Sequence, residues 1–126
     1  MKNKFRSMRI ISPLLIFIAM ALPSFAQKIP VFDNFPTSAG NVEMHFIGHG
    51  SLMFRVNNFV IYVDPVSSSG SYDNLPKGDL ILVTHEHYDH LDQDLISRLR
   101  KDETILFTTE KVAAQVKGSQ VMKAGD

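Results

Sequence analysis

The run Thr84-His85-Glu86-His87-Tyr88-Asp89-His90-Leu91 places three imidazoles and two carboxylates within the six positions 85 to 90. A helix would splay the side chains of 85, 87 and 89. Extended or tightly looped backbone turns all three to one side and sends Glu86 and Tyr88 to the other. The preceding Asp79-Leu80-Ile81-Leu82-Val83 is a short, branched, apolar run, the pattern of a buried strand that delivers the histidines at its C-terminal end. Sheets of mixed α and β character carry their binding sites there. After His90, the positions Leu91, Leu95, Ile96 and Leu99 have helical spacing. Asp92 and Asp94 lie near the start and Arg98, Arg100 and Lys101 near the end, in keeping with a helix dipole. The segment therefore predicts a strand, a donor-rich loop and a helix, with His90 at the helix entrance.

Imidazole nitrogen and carboxylate oxygen suit zinc and neighbouring first-row ions, and the chain has no cysteine. Any bound ion is then held by nitrogen and oxygen. The His-Glu-x-x-His arrangement of zincins is excluded, because the position four after His85 is Asp89. The segment resembles instead the His-x-His-x-Asp-His signature of the metallo-β-lactamase-fold hydrolases, matched by His85, His87, Asp89 and His90. The resemblance implies that His85 and His87 bind one metal ion and that Asp89 and His90 bind a second when two are present. It implies one or two divalent ions, zinc first and manganese or iron as alternatives. Glu86 and Tyr88 are expected to make supporting or packing contacts.

Gly48-His49-Gly50-Ser51 and Val63-Asp64-Pro65 look like early segments of the subgroup that includes the ascorbate-phosphate lactonase-like enzymes. By that resemblance Asp64 supports the metal cluster through hydrogen bonds; an ordinary strand-ending turn before Pro65 is the alternative. His49 either lines the site or makes a structural hydrogen bond in its turn, and it is not assigned as a ligand. His45 alternates with the apolar face of its strand and is expected to be structural or exposed.

The chain opens with Lys2, Lys4, Arg6 and Arg9 and no acid, followed by the apolar stretch Ile10 to Leu22 and the small residues of Ser24-Phe25-Ala26. This is the layout of a signal peptide over residues 1–26, cleaved before Gln27, and the apolar stretch is short of the roughly 20 residues that span a bilayer. An uncleaved anchor is the competing reading. The expected mature product is exported, periplasmic or secreted, with no stable membrane span. Its nine basic and thirteen acidic residues leave a net charge of −4. That balance argues against nucleic acid as a partner and leaves a small-molecule substrate.

Residues 27–41 read as an extended lead-in, with the fold starting at Val42. Val42, Met44 and Phe46 alternate with polar neighbours, Leu52 to Val56 follows a Gly-His-Gly turn, and Phe59 to Val63 follows Asn57-Asn58. Three antiparallel strands are expected, with positive φ at the asparagines. Phe46, Phe54, Phe59 and Tyr62 are assigned to the core. Residues 66–78 read as a flexible loop that shapes a substrate entrance. A strand at Thr104 to Phe107, a short helix over Thr109 to Val116 and the start of a strand at Gln120 complete the pattern.

A divalent ion held by imidazoles lowers the pKa of bound water to about 7 and polarises a carbonyl or phosphoryl oxygen. The resemblance thus implies hydrolysis of an ester, lactone or phosphodiester by metal-activated hydroxide. Asp89 would both bind metal and accept a hydrogen bond from the attacking water, which makes it the catalytic candidate. No Gly-x-Ser-x-Gly elbow or phosphate loop offers a rival centre. The fold class expected is α+β, and members of the family use about twice this length for an αββα sandwich. Residues 42–126 then correspond to the N-terminal half, an incomplete domain whose inner sheet face is bare and which turns over poorly if at all. A non-enzymatic exported zinc-binding protein is the alternative.

Overall fold

The computed structural model describes residues 31–126, so the expected signal peptide lies outside the described residues. Seven strands form one sheet in chain order: β1 (Val31–Thr37), β2 (Gly40–Gly48), β3 (Ser51–Val56), β4 (Phe59–Val63), β5 (Gly78–Val83), β6 (Arg100–Thr108) and β7 (Gln120–Val121). The first four pair antiparallel, and β4 to β7 pair parallel. Parallel neighbours need a crossover. Helix α1 (Gln93–Leu99) supplies it between β5 and β6, and α2 (Glu110–Ala113) between β6 and β7.

The expected strands are all present, but the start of the fold is earlier than the alternating pattern suggests. Residues 31–37 are not an unpaired lead-in. They form an edge strand in register with β2 from Val31 opposite Phe46 to Thr37 opposite Gly40. Pro36 is compatible with this because an edge strand leaves one row of backbone groups unpaired. Gly40, at φ 115, takes a conformation that side chains avoid, beside the tight turn at Ser38 and Ala39. At the β3–β4 hairpin only Asn57 adopts a positive φ, of 54, and Asn58 does not.

Strand periodicity places His45, Met53, Tyr62, Ile81 and Leu106 side by side across β2 to β6. The last four are almost wholly buried, because Leu95, Ile96 and Leu99 of α1 and Val112 of α2 pack with them. His45 is buried too. It stacks on Phe32 at 4.9 Å between ring centroids and lies 3.1 Å from Glu43 Oε2, so its role is structural.

The row one residue away, Met44, Phe54, Ile61, Leu80 and Ile105, faces the opposite side. No helix among the described residues joins the buried cluster from that side. The assignment of Phe46 and Phe59 to the core is therefore corrected. They are 42% and 46% exposed, since they share this uncovered face. Phe54 is half-buried there, and only Tyr62 of the four aromatics is fully enclosed. One helix layer and one sheet, half of an αββα sandwich, is the architecture present.

The segment 66–78 is not a free loop. A 3-10 turn at Ser67–Ser69 is tied to the entrance of α1, where Asp92 Oδ2 accepts from Ser67 Oγ at 2.6 Å and from its backbone N–H at 3.0 Å. Tyr72 is buried, and its hydroxyl accepts from the Val66 N–H at 3.2 Å. Asp92 is at the same time the N-cap of α1, its Oδ1 accepting from the Leu95 N–H at 2.9 Å. Asp92→Ala removes the cap and the loop anchor together. A loss of about 1–2 kcal/mol is expected in urea unfolding, and an unchanged midpoint would show that neither contact contributes.

Candidate metal centre

Strand β4 is followed directly by Asp64, whose φ of 44 is left-handed, a region that aspartate tolerates better than most side chains. Its backbone continues the ladder by donating to Leu82 O at 2.9 Å, and its carbonyl accepts from Ser51 Oγ at 2.6 Å. This holds a buried carboxylate, 3% exposed, at the C-terminal end of β5. Oδ1 accepts from the Thr84 N–H at 2.7 Å, and Oδ2 accepts from Thr84 Oγ1 at 2.6 Å. The His90 Nδ1 lies 2.8 Å from Oδ2. These three bonds engage both of its oxygens and tie it to the histidine loop, and its carboxylate also lies within 4.8 Å of donor atoms of His85 and His90.

Those bonds assign ring tautomers. A carboxylate only accepts, so His90 carries its proton on Nδ1 and leaves Nε2 with a free lone pair. Thr84 has one hydroxyl proton and gives it to Asp64. Its 2.9 Å contact with His85 Nδ1 then requires His85 to donate, and His85 Nε2 is likewise left free. Orientation of ligand imidazoles through the second ring nitrogen is the usual way a protein prepares a metal site. Thr84, which sequence reasoning passed over, links the scaffold to the first histidine. Its position directly after the apolar strand was the available signal.

The loop after β5 folds back on itself, with His87 O accepting from the N–H groups of His90 and Leu91, both at 2.9 Å. Donor atoms of His85, His87 and Asp89 converge within 4.8 Å of one another. The His85 ring lies 4.7 Å from that of His87 and 4.0 Å from that of His90. Glu86 turns away and meets Lys111 of α2 at 2.8 Å, as alternation requires. Tyr88 is 89% exposed, so the packing contact expected of it is absent.

His49 enters from the β2–β3 turn. Its Nε2 is 3.2 Å from Asp89 Oδ2, and its ring is 5.5 Å from that of His90. It therefore lines the site. The Asp89 carboxyl is held below the usual carboxylate range, first by a hydrogen bond with its own backbone, against which burial works, and further by the hydrogen bond from His49. An ionised carboxylate and two imidazoles with free nitrogens are a donor set suited to a divalent ion.

Residues 43–125 match the family profile described as Beta-lactamase superfamily domain. A solved "Putative metal-dependent hydrolase" from Parabacteroides distasonis is 40% identical, with a TM-score of 0.74 over 78% of this chain and 45% of that one. A metallo hydrolase from the archaeon Ignicoccus hospitalis is 26% identical, with a TM-score of 0.50 over 67% of this chain and 40% of that one. The chain thus spans less than half the length of these solved relatives. The match over most of the described residues, on a sheet that carries the His-x-His-x-Asp-His loop at its strand ends, places the chain in the beta-lactamase superfamily, with the metallo-β-lactamase fold.

Proposed function

We propose that this chain carries the metal-binding half of a metal-dependent hydrolase that cleaves an ester, lactone or phosphodiester in a small-molecule substrate. The observation that carries the reading is the convergence of His85, His87 and Asp89, with His85 and His90 preset by the Asp64–Thr84 network. His85, His87, Asp89 and His90 would hold one or two divalent ions, zinc first among them because all the donors are imidazole or carboxylate. When bound, the ion supplies Lewis-acid polarisation of the scissile group and activation of water. Asp89 orients the attacking water by accepting its proton in a hydrogen bond, and Asp64 keeps the histidine rings in their ligating tautomers. Family membership favours this reading over a zinc-binding protein without catalysis.

Export of the product from Gln27 is part of the proposal and rests on the N-terminal pattern. No helix among the described residues is long and apolar enough to cross a membrane. The test is elemental analysis of the purified chain beside a His85→Ala/His87→Ala variant. At least one ion per chain, lost in the variant, is the expected result. A folded wild-type chain that holds no ion after dialysis against zinc would overturn the proposal.

A further inference from the structure

The turn that carries His49 is built closely against the metal loop. His49 itself has a left-handed φ of 50, a conformation that non-glycine residues seldom adopt. A Cβ on Gly48 would lie 2.2 Å from the carbonyl oxygen of Ser69, and a Cβ on Gly50 would lie 3.0 Å from Cε1 of His90. Glycine at 48 lets the backbone come this near to the Ser67–Ser69 turn, and glycine at 50 lets it pass the His90 ring without displacing it. This unusual backbone conformation falls where the side chain meets Asp89.

We infer that His49 is a metal ligand, completing with Asp89 and His90 a second ion position beside that of His85, His87 and Asp89. This rests on the metal centre proposed above. The three donor atoms lie within 4.8 Å of one another. Asp89 Oδ2 is 3.2 Å from His49 Nε2, which gives up the proton of that hydrogen bond when an ion binds, and 3.7 Å from His90 Nε2. Ligands about 2.1 Å from a tetrahedral ion are about 3.4 Å apart, so the two separations bracket what an ion requires. His90 spends Nδ1 on Asp64 and presents Nε2 to this position. Asp89 belongs to both donor sets and is placed to bridge them. The His49 side chain is 59% exposed, so the position is open to solvent and to a substrate.

The competing role is a hydrogen bond that only steadies Asp89, and the two differ in magnitude and in signature. Zn2+ titration by calorimetry and Co2+ absorption spectra of the full chain are compared for wild type, His49→Asn and His49→Gly. Both replacements tolerate the left-handed turn, and circular dichroism checks that the fold is kept. Two ions in the wild type are expected. In both variants the second is weakened about 100-fold or more, beyond the 10–100-fold that losing a supporting contact costs. The first ion keeps its affinity, and the Co2+ band of the second is lost.

Two ions bound in the variants with affinities within about tenfold of wild type and an unchanged Co2+ spectrum would overturn the inference. So would a single ion in the wild type that is indifferent to His49, an outcome that leaves the centre at His85 and His87 standing. A wild-type chain that binds no ion would remove both.

Discussion

Asp64→Asn is expected to weaken metal binding about 10–100-fold while leaving every ligand in place. The carboxylate accepts three hydrogen bonds at the site, from the Thr84 N–H, the Thr84 hydroxyl and His90 Nδ1. An amide of the same shape keeps one accepting oxygen and replaces the other with a donor. The donor faces two hydrogens that formerly pointed at Oδ2, so His90 is driven towards the wrong tautomer, and Thr84 loses the partner that made it an acceptor for His85. The side chain is buried, so the mismatch is not relieved by water, and a stability loss of about 1–3 kcal/mol accompanies it. Competition between the chain and a chromophoric zinc chelator reads the affinity, and urea unfolding of the metal-free chain reads the stability. An Asp64→Asn chain with wild-type zinc affinity would show that Asp64 is only the turn before Pro65.

Ile81→Ala is expected to destabilise the fold by about 2–5 kcal/mol, whereas Ile105→Ala should cost less than about 1 kcal/mol. The two residues sit on neighbouring parallel strands but face opposite sides of the sheet. Ile81 is fully enclosed under the helix layer, and truncation leaves a cavity that the well-packed neighbours cannot fill. Ile105 is 40% exposed on the uncovered face, so its methyl groups are already partly in water. Domains of this size have only about 5–15 kcal/mol in total, and the first variant therefore sits near the threshold of folding. Equal losses at the two positions would mean that the second face is covered in solution.

That face also shows where sequence reasoning reaches its limit. The alternation in β2 and the apolar runs of β4 and β5 announced strands correctly, and the spacing of Leu95, Ile96 and Leu99 announced α1, because these periods follow from backbone geometry alone. The same patterns made Phe46 and Phe59 look like core. Hydrophobicity states that a residue gains from burial but not that a second layer is there to bury it. Residues 31–37 were passed over for a related reason. They pair with β2, and a strand that contains a proline such as Pro36 has a weak signal until its partner is known. The segment 66–78 has the composition of a mobile loop, yet Ser67 and Tyr72 are fastened by contacts that composition does not reveal.

At the metal centre, the sequence by itself determined the donor types and their common side. His85, His87 and Asp89 alternate, and alternation in looped or extended backbone is a local property. What the tertiary structure decided was which distant residues complete the site. Asp64 reaches His90 across 26 positions, and His49 reaches Asp89 across 40. Sheet pairing puts the ends of β2, β4 and β5 on one edge of the sheet, where the β2–β3 turn and the residue after β4 reach the loop that follows β5. A carboxylate's role as a scaffold and a histidine's approach to a ligand are matters of which partner lies within hydrogen-bond reach, and no short-range period in the chain contains that distance.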